Sequence, residues 1–345
     1  MRQYSIKITN PITGVLWTPP GFSASMLGGF SYTSRVNNQN LPAAWNIELD
    51  AYSGPFGVPT GNSIVTIWGV SLQEIYNATN LNNFNIEIWG GMAPGLPLAT
   101  AASQYAGLLV KGTIFPAFGN WEDVNQTLNL VILPGFTSTG NPTFGTNGKP
   151  VNLSFNWKKG TQLSQVISSV FGTAFPGIKV NVNISPNLVP TQDLPFFNNT
   201  LGQFSQSMAS ASKSIIGGNY YGVQISYDPV QNQINVWDGT QTTGSPKQLL
   251  FQDLIGQPTW IGNGVSFKTP MRADITIGTQ IIMPPGSSNI AIATANAAIL
   301  AKNRASFQGT YTTTLARHLG DFRNPSGDAW VTAFEAVQLN KAAPQ

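Results

Sequence analysis

Charge is nearly missing from this chain, and that limits what its surface can be made of. Of 345 residues, 31 are Asp, Glu, Lys or Arg, or 9%, against about 25% in ordinary soluble domains. Asn alone occurs 32 times. Hydrophobic types still make up 41% of the chain, enough to build sizeable cores rather than a disordered polymer. At roughly 100–200 residues per domain, two or three such cores are expected. Their surface must be wetted by amides and hydroxyls instead of ions. Weak charge gives little protection against self-association, so much of that surface is expected to lie in protein–protein contacts.

Several classes fall away on the same grounds. The net charge is +3, and no run of basic residues is longer than Lys158-Lys159. That is not the basic stripe of a nucleic-acid reader, so no sequence-specific nucleic-acid binding is expected. Cys is absent, which removes disulfides, thiolate zinc sites and cysteine nucleophiles together. Met1–Ile8 alternates like a strand and holds no apolar signal core. Ile275–Ala301 is free of charge, but Pro284-Pro285-Gly286 interrupts it; no membrane insertion is expected.

The pattern of apolar residues divides the chain into three: residues 1–150, 151–245 and 246–345. In the first, Trp45–Asp50 and Phe84–Trp89 alternate apolar and polar, and Leu128–Leu133 begins so. Such alternation predicts half-buried strands. Ser71-Leu72-Gln73-Glu74 is a capping-box pattern, and the spacing predicts a short helix, fading by Asn80–Asn83, with Leu72, Ile75 and Tyr76 on one face. Composition shifts to Gly, Thr, Asn and Pro over Pro134–Pro150, where a domain boundary is placed. The middle segment reads as α+β: helices at Thr161–Phe171 and after Thr200, a strand at Lys179–Ile184, and a hairpin from Tyr221 to Trp237. Leu201, Phe204 and Met208 should form the buried stripe of the second helix. The last segment returns to strands at Gly264–Thr269, Ile275–Met283, Ser306–Ala316 and Ala329–Val337. Ile290–Asn303 reads as helix or loop.

The inventory of reactive groups is thin. The single histidine, His318, lies in Arg317-His318-Leu319-Gly320-Asp321-Phe322-Arg323, the most ion-dense stretch of the chain. A chemical role would make His318 and Asp321 an acid–base pair. The plainer alternative is a structural turn or interface formed by Arg317, His318, Asp321 and Arg323, with Asp321 accepting from an arginine or from backbone amides. A glycosidase needs two facing carboxylates; Glu122 and Asp123, beside Trp121, are the densest acids, and the competing reading is a solvated turn. No phosphate-binding loop, calcium loop or zinc ligand set is visible. No catalytic residue, metal or cofactor is expected.

Certain stretches carry more than strand and helix. Lys158-Lys159-Gly160-Thr161-Gln162-Leu163-Ser164-Gln165-Val166-Ile167 leads to Phe175-Pro176-Gly177, then Leu201-Gly202-Gln203-Phe204 and Tyr220-Tyr221-Gly222-Val223. Asp253-Leu254-Ile255-Gly256-Gln257-Pro258-Thr259-Trp260 and Val265-Ser266-Phe267-Lys268-Thr269 follow. This order resembles the baseplate hub proteins of contractile-tailed bacteriophages, the family of the T-even hub. Ile86–Met92 with Gly112-Thr113-Ile114 looks like the first tube-like domain of such hubs, and His318–Arg323 with Ala329–Thr332 also fits.

The resemblance implies a mainly β fold of two tail-tube-like β-barrel domains, at 1–150 and 246–345, with a smaller α+β domain at 151–245. It implies a homotrimer whose six barrels form a pseudo-sixfold ring between the tail tube protein and a threefold central spike protein. The tape-measure protein is a further possible partner. The place implied is the virion, after synthesis in the bacterial cytoplasm. The family has no catalytic residues, so none are carried over and the chain is expected to be no enzyme. Two readings compete from other classes: a glycan-binding tail component with tryptophans as sugar platforms, and a polysaccharide hydrolase using Glu122 or Asp123.

Overall fold

The computed structural model describes residues 1–58, 61–92, 105–135, 152–241, 245–261, 264–284, 307 and 309–338. The chain is mainly β, with a smaller α+β part between two β-rich segments. The first segment holds β1 (Arg2–Thr9), β2 (Tyr32–Thr33), β3 (Arg35–Val36), β4 (Gln39–Asn40), β5 (Asn46–Ser53), β6 (Ser63–Trp68), α1 (Leu72–Tyr76), β7 (Asn85–Met92), β8 (Gly107–Glu122) and β9 (Asn125–Pro134). The middle holds β10 (Phe155–Trp157), α2 (Leu163–Ala174), β11 (Lys179–Asn183), β12 (Leu194–Phe196), α3 (Leu201–Ile216), β13 (Gln224–Asp228) and β14 (Gln233–Trp237). The last holds β15 (Lys247–Gln248), β16 (Thr259–Ile261), β17 (Gly264–Pro270), β18 (Gln280–Ile282), β19 (Thr310–Asp321) and β20 (Trp330–Val337).

Strands of both β-rich segments join in one 13-stranded sheet. Its main path runs β16–β17–β20–β19–β5–β6–β9–β8–β7–β1–β2. The seam is β5 against β19, antiparallel, from Ser53 opposite Ala316 to Asp321 opposite Glu48. The sheet curls far enough to bring β1 back to the end of β19. There Tyr4 packs edge-on against Phe322 at 4.9 Å, and its hydroxyl donates to the Trp45 carbonyl at 2.7 Å.

Alternation decides which face is inside. Ile47, Leu49 and Ala51 on β5, Ile86 and Ile88 on β7, and Leu128, Leu130 and Ile132 on β9 are all buried, as period-two strands with one wet face require. They belong to a first core that also takes Met271, Ala273 and Trp330 from the last segment. A second core runs from Leu153 to Val236 under α2 and α3. A third, from Trp237 to Ala336, lies beneath β17, β19 and β20.

The middle helices follow their sequence pattern. α2 buries Leu163, Ile167 and Phe171, and α3 buries Leu201, Phe204 and Met208. The Thr200 hydroxyl caps α3 by accepting from the Gln203 amide at 3.2 Å. β13 and β14 form the expected antiparallel hairpin, and β11 lies parallel to β14.

Two expectations fail locally. α1 has its capping box, but Leu72 and Tyr76 are 49% and 87% exposed, while Glu74 is buried. In a five-residue helix the inward side is set by where Glu74 finds partners, Tyr32 among them. The Glu74 carboxylate accepts from the Ser71 amide at 2.8 Å and the Tyr32 hydroxyl at 2.7 Å, which satisfies a charge that burial would otherwise penalise. Ile75 still packs inward, onto Gly119, where a Cβ would lie 2.6 Å from its Cγ2. The strand expected over Ile275–Met283 shrinks to Gln280–Ile282. The Thr276–Thr279 turn, closed by a 3.1 Å backbone bond, takes its first half. Most of the expected boundary at Pro134–Pro150, and all of Ile290–Asn303, lie outside the described residues.

Candidate functional site

The ion-dense stretch is strand, not turn. β19 carries Arg317, His318 and Asp321, and the chain turns only after Asp321. The charges that suggested a loop serve a cross-strand pair: Arg317 Nε and Nη2 donate to the Asp50 carboxylate on β5 at 2.8 and 2.6 Å. The pair is two-fifths exposed, so it contributes no more than about 1 kcal/mol. His318 and Asp321 are three residues apart on a strand and so face opposite sides of it. The structure does not bring them together as an acid–base pair. Asp321 acts through its main chain: its amide donates to the Ala329 carbonyl at 2.7 Å, and its carbonyl accepts from Arg2 at 3.0 Å. Arg323, beyond the strand, donates to the Ala44 carbonyl at 2.6 Å.

His318 is buried, with Nδ1 2.9 Å from the Thr332 hydroxyl. Burial pushes its pKa down to about 4, so the ring is neutral at pH 7. An unfolded imidazole titrates near 6.5. The folded value is the lower one, so the contribution of His318 to stability is complete above that pH. It is lost as pH falls from there to about 4. The expected loss is about 3 kcal/mol. Urea unfolding between pH 7 and pH 4 should record it for the wild type, and His318→Gln should lack that part of the slope. Equal slopes in the two proteins would count against the buried neutral ring.

Glu122 and Asp123 stand at the tip of the β8–β9 hairpin. Asp123 has φ 55°, and Glu122 accepts from the Asn120 amide at 3.1 Å. The tip is also apolar: Trp121 is 60% and Val124 84% exposed. The indole is fixed in place, its Nε1 donating to the Asp123 carbonyl at 2.8 Å. The sequence suggested a solvated turn here; the structure adds an apolar knob around two carboxylates.

A buried charge cluster was not legible beforehand. Arg272, 5% exposed, grips Asp274 through Nε and Nη2, each at 2.6 Å. It also stacks over the Tyr105 ring at 4.1 Å. Lys247 reaches the same carboxylate at 3.1 Å, and the Tyr105 hydroxyl donates to Asp253 at 2.8 Å. Burial raises the Asp274 pKa, but bonds from Arg272 and the charges of Arg272 and Lys247 outweigh it, and the net shift is downward. The spacing Arg272-Ala273-Asp274 was the one available signal. Among the described residues no group of three His, Asp or Glu side chains could hold a metal ion, and no helix is long and apolar enough to cross a membrane.

A cleft of about 940 Å³ opens where the two β-rich segments meet. Met92, Phe251, Leu254, Ile255 and Phe322 line it, with Arg2 and Arg323 among the polar members. No sequence pattern announces it, because its wall is assembled from stretches scattered along the chain.

Comparison with solved structures finds chains of partly similar path. The chain is 8% identical to the 43 kDa tail protein of prophage MuSo2 from Shewanella oneidensis, with 98% of this chain and 97% of that one covered and a TM-score of 0.49. Against the tail protein from Neisseria meningitidis MC58 the identity is 10%, the coverage 97% and 96%, and the TM-score 0.47. Against a chain of the half-lidded PdpA-VgrG complex of Francisella it is 10%, with all of this chain but 59% of that one covered, at a TM-score of 0.48. No protein-family model and no curated protein sequence matches the chain.

Proposed function

We propose that the chain is a structural component of a contractile phage tail, the baseplate hub, in which three copies form a ring that fits a sixfold tail tube to a threefold spike. One observation carries this role. The two β-rich segments stand side by side in a single curled sheet, joined at β5 and β19, with the α+β part set between them in sequence. Each chain thus offers two adjacent β units to its neighbours. Three copies around an axis offer six, which is what an adaptor between threefold and sixfold partners requires.

The family resemblance of the sequence supports the same role, as does a surface poor in repelling charge. The sheet end at β16, whose three residues are exposed, is offered for pairing across chains. No catalytic step is assigned to the chain in this role; the tail tube protein, the spike protein and the tape-measure protein are its proposed partners, and the virion its place. Imaging of the tail-derived particle, with native mass spectrometry of the purified chain, should find three copies around a central channel. A single copy, or six in one ring, would sink the adaptor role.

A further inference from the structure

We infer that the β8–β9 tip of one copy seats in the apolar cleft of the next, making the contact between copies head-to-tail. This rests on the ring proposed above and names the surfaces that would close it. The two features fit in shape and in charge. The cleft is concave, and its volume of about 940 Å³ lies at the upper end of the roughly 300–1,000 Å³ usual for binding clefts. The tip is a knob: Trp121 and Val124 project from it, with the indole held by the Asp123 carbonyl.

The charges are complementary for a reason visible in the whole sequence. All 14 acids of the chain lie among the described residues, and none lines the cleft. Arg2 and Arg323 do line it, yet neither makes an ion pair within 4.0 Å; both are bonded only to carbonyls, Arg2 to Asp321, Asn324 and Ser326, and Arg323 to Ala44. The acids nearest in sequence are otherwise placed. The Asp253 carboxylate accepts from Tyr105 and from the Leu250 amide, and that of Asp328 from Ser326. Among the described residues Asp321 pairs with no cation within the same limit. In a chain so short of ions, two arginines therefore face an apolar cleft without an acid of their own. The tip carries the converse: among the described residues no cation pairs with Glu122 or Asp123 within 4.0 Å. A contact between two different surfaces closes into a ring when the rotation allows, and leaves no surface of either kind over.

Sedimentation velocity of the full chain over a concentration series tests the contact. Wild-type chain should assemble reversibly. Trp121→Ser is an exposed change that leaves the cores untouched, and should move the assembly midpoint at least tenfold upward in concentration. Glu122→Lys with Asp123→Asn should do the same, Asn being suited to the left-handed backbone at that position. Arg323→Glu alone should weaken assembly, and joining it to the Glu122→Lys change in one chain should restore much of it. Circular dichroism and melting identify any variant that fails to fold. A wild-type ring unmoved by the tip changes would overturn this contact and leave the ring standing. Wild-type chain that stays monomeric, with no ring in the particle, would overturn both.

Discussion

Replacing Trp330 by Ala should destabilise the chain by about 3–5 kcal/mol, the range for emptying a fully packed indole site. Trp330 is 2% exposed and belongs to the first core, although it comes from the last segment. Its Nε1 donates to the Gly91 carbonyl at 3.0 Å, 239 residues away in sequence. Gly320 makes room for the ring: a Cβ there would lie 2.6 Å from Trp330 Cζ3 and 3.1 Å from Met271 Cε. The side chain is thus the wedge through which the two β-rich segments share a core. Trp330→Phe should lose less, because it keeps most of the packing and forfeits mainly one buried bond, worth about 0.5–1.5 kcal/mol. Urea denaturation of both variants checks this. A loss near 1 kcal/mol for the alanine would mean that the two segments are held together elsewhere.

Asp274→Ala is expected to cost a similar amount, about 3–5 kcal/mol, because it strands Arg272 as an uncompensated buried charge. Arg272 is 5% exposed, and its Nη1 already lacks a partner. The second change Arg272→Met should recover part of the loss, since removing both charges leaves no orphan. The pair also titrates. The folded Asp274 pKa is below its ordinary value, so its contribution is present above the ordinary carboxylate range and is lost as pH falls through the folded value. That acid window lies beneath the one assigned to His318, so the two variants separate the two effects. A double variant no more stable than Asp274→Ala would show that the charge pair is not the source of the loss.

How much of this was legible beforehand depended on how local the physics was. Alternation at Trp45–Asp50 and Phe84–Trp89 and helical spacing at Leu163–Phe171 and Leu201–Met208 translate directly into elements, because each pattern must bury one face whatever surrounds it. Charge scarcity and the missing Cys likewise bounded the chemistry without any coordinates. α1 shows where this stops. Its capping box was readable, but which side of five residues turns inward was settled by Tyr32, distant in sequence and brought over by the sheet.

The tertiary structure alone decided the rest, because it depended on residues far apart in the chain. Arg317 looked like part of a polar turn until Asp50, 267 positions away, gave it a cross-strand partner. His318 looked like the one titratable group near neutrality until burial made it a neutral core side chain. Neither the seam between β5 and β19 nor the cleft beside it follows from a local pattern, since pairing register and surface concavity are properties of the assembled sheet. The sequence determined which residues had to be buried and which ions were scarce. Long-range pairing determined where the few charges would stand, and so which of the described ones meet in pairs such as Arg317 with Asp50 and Arg272 with Asp274.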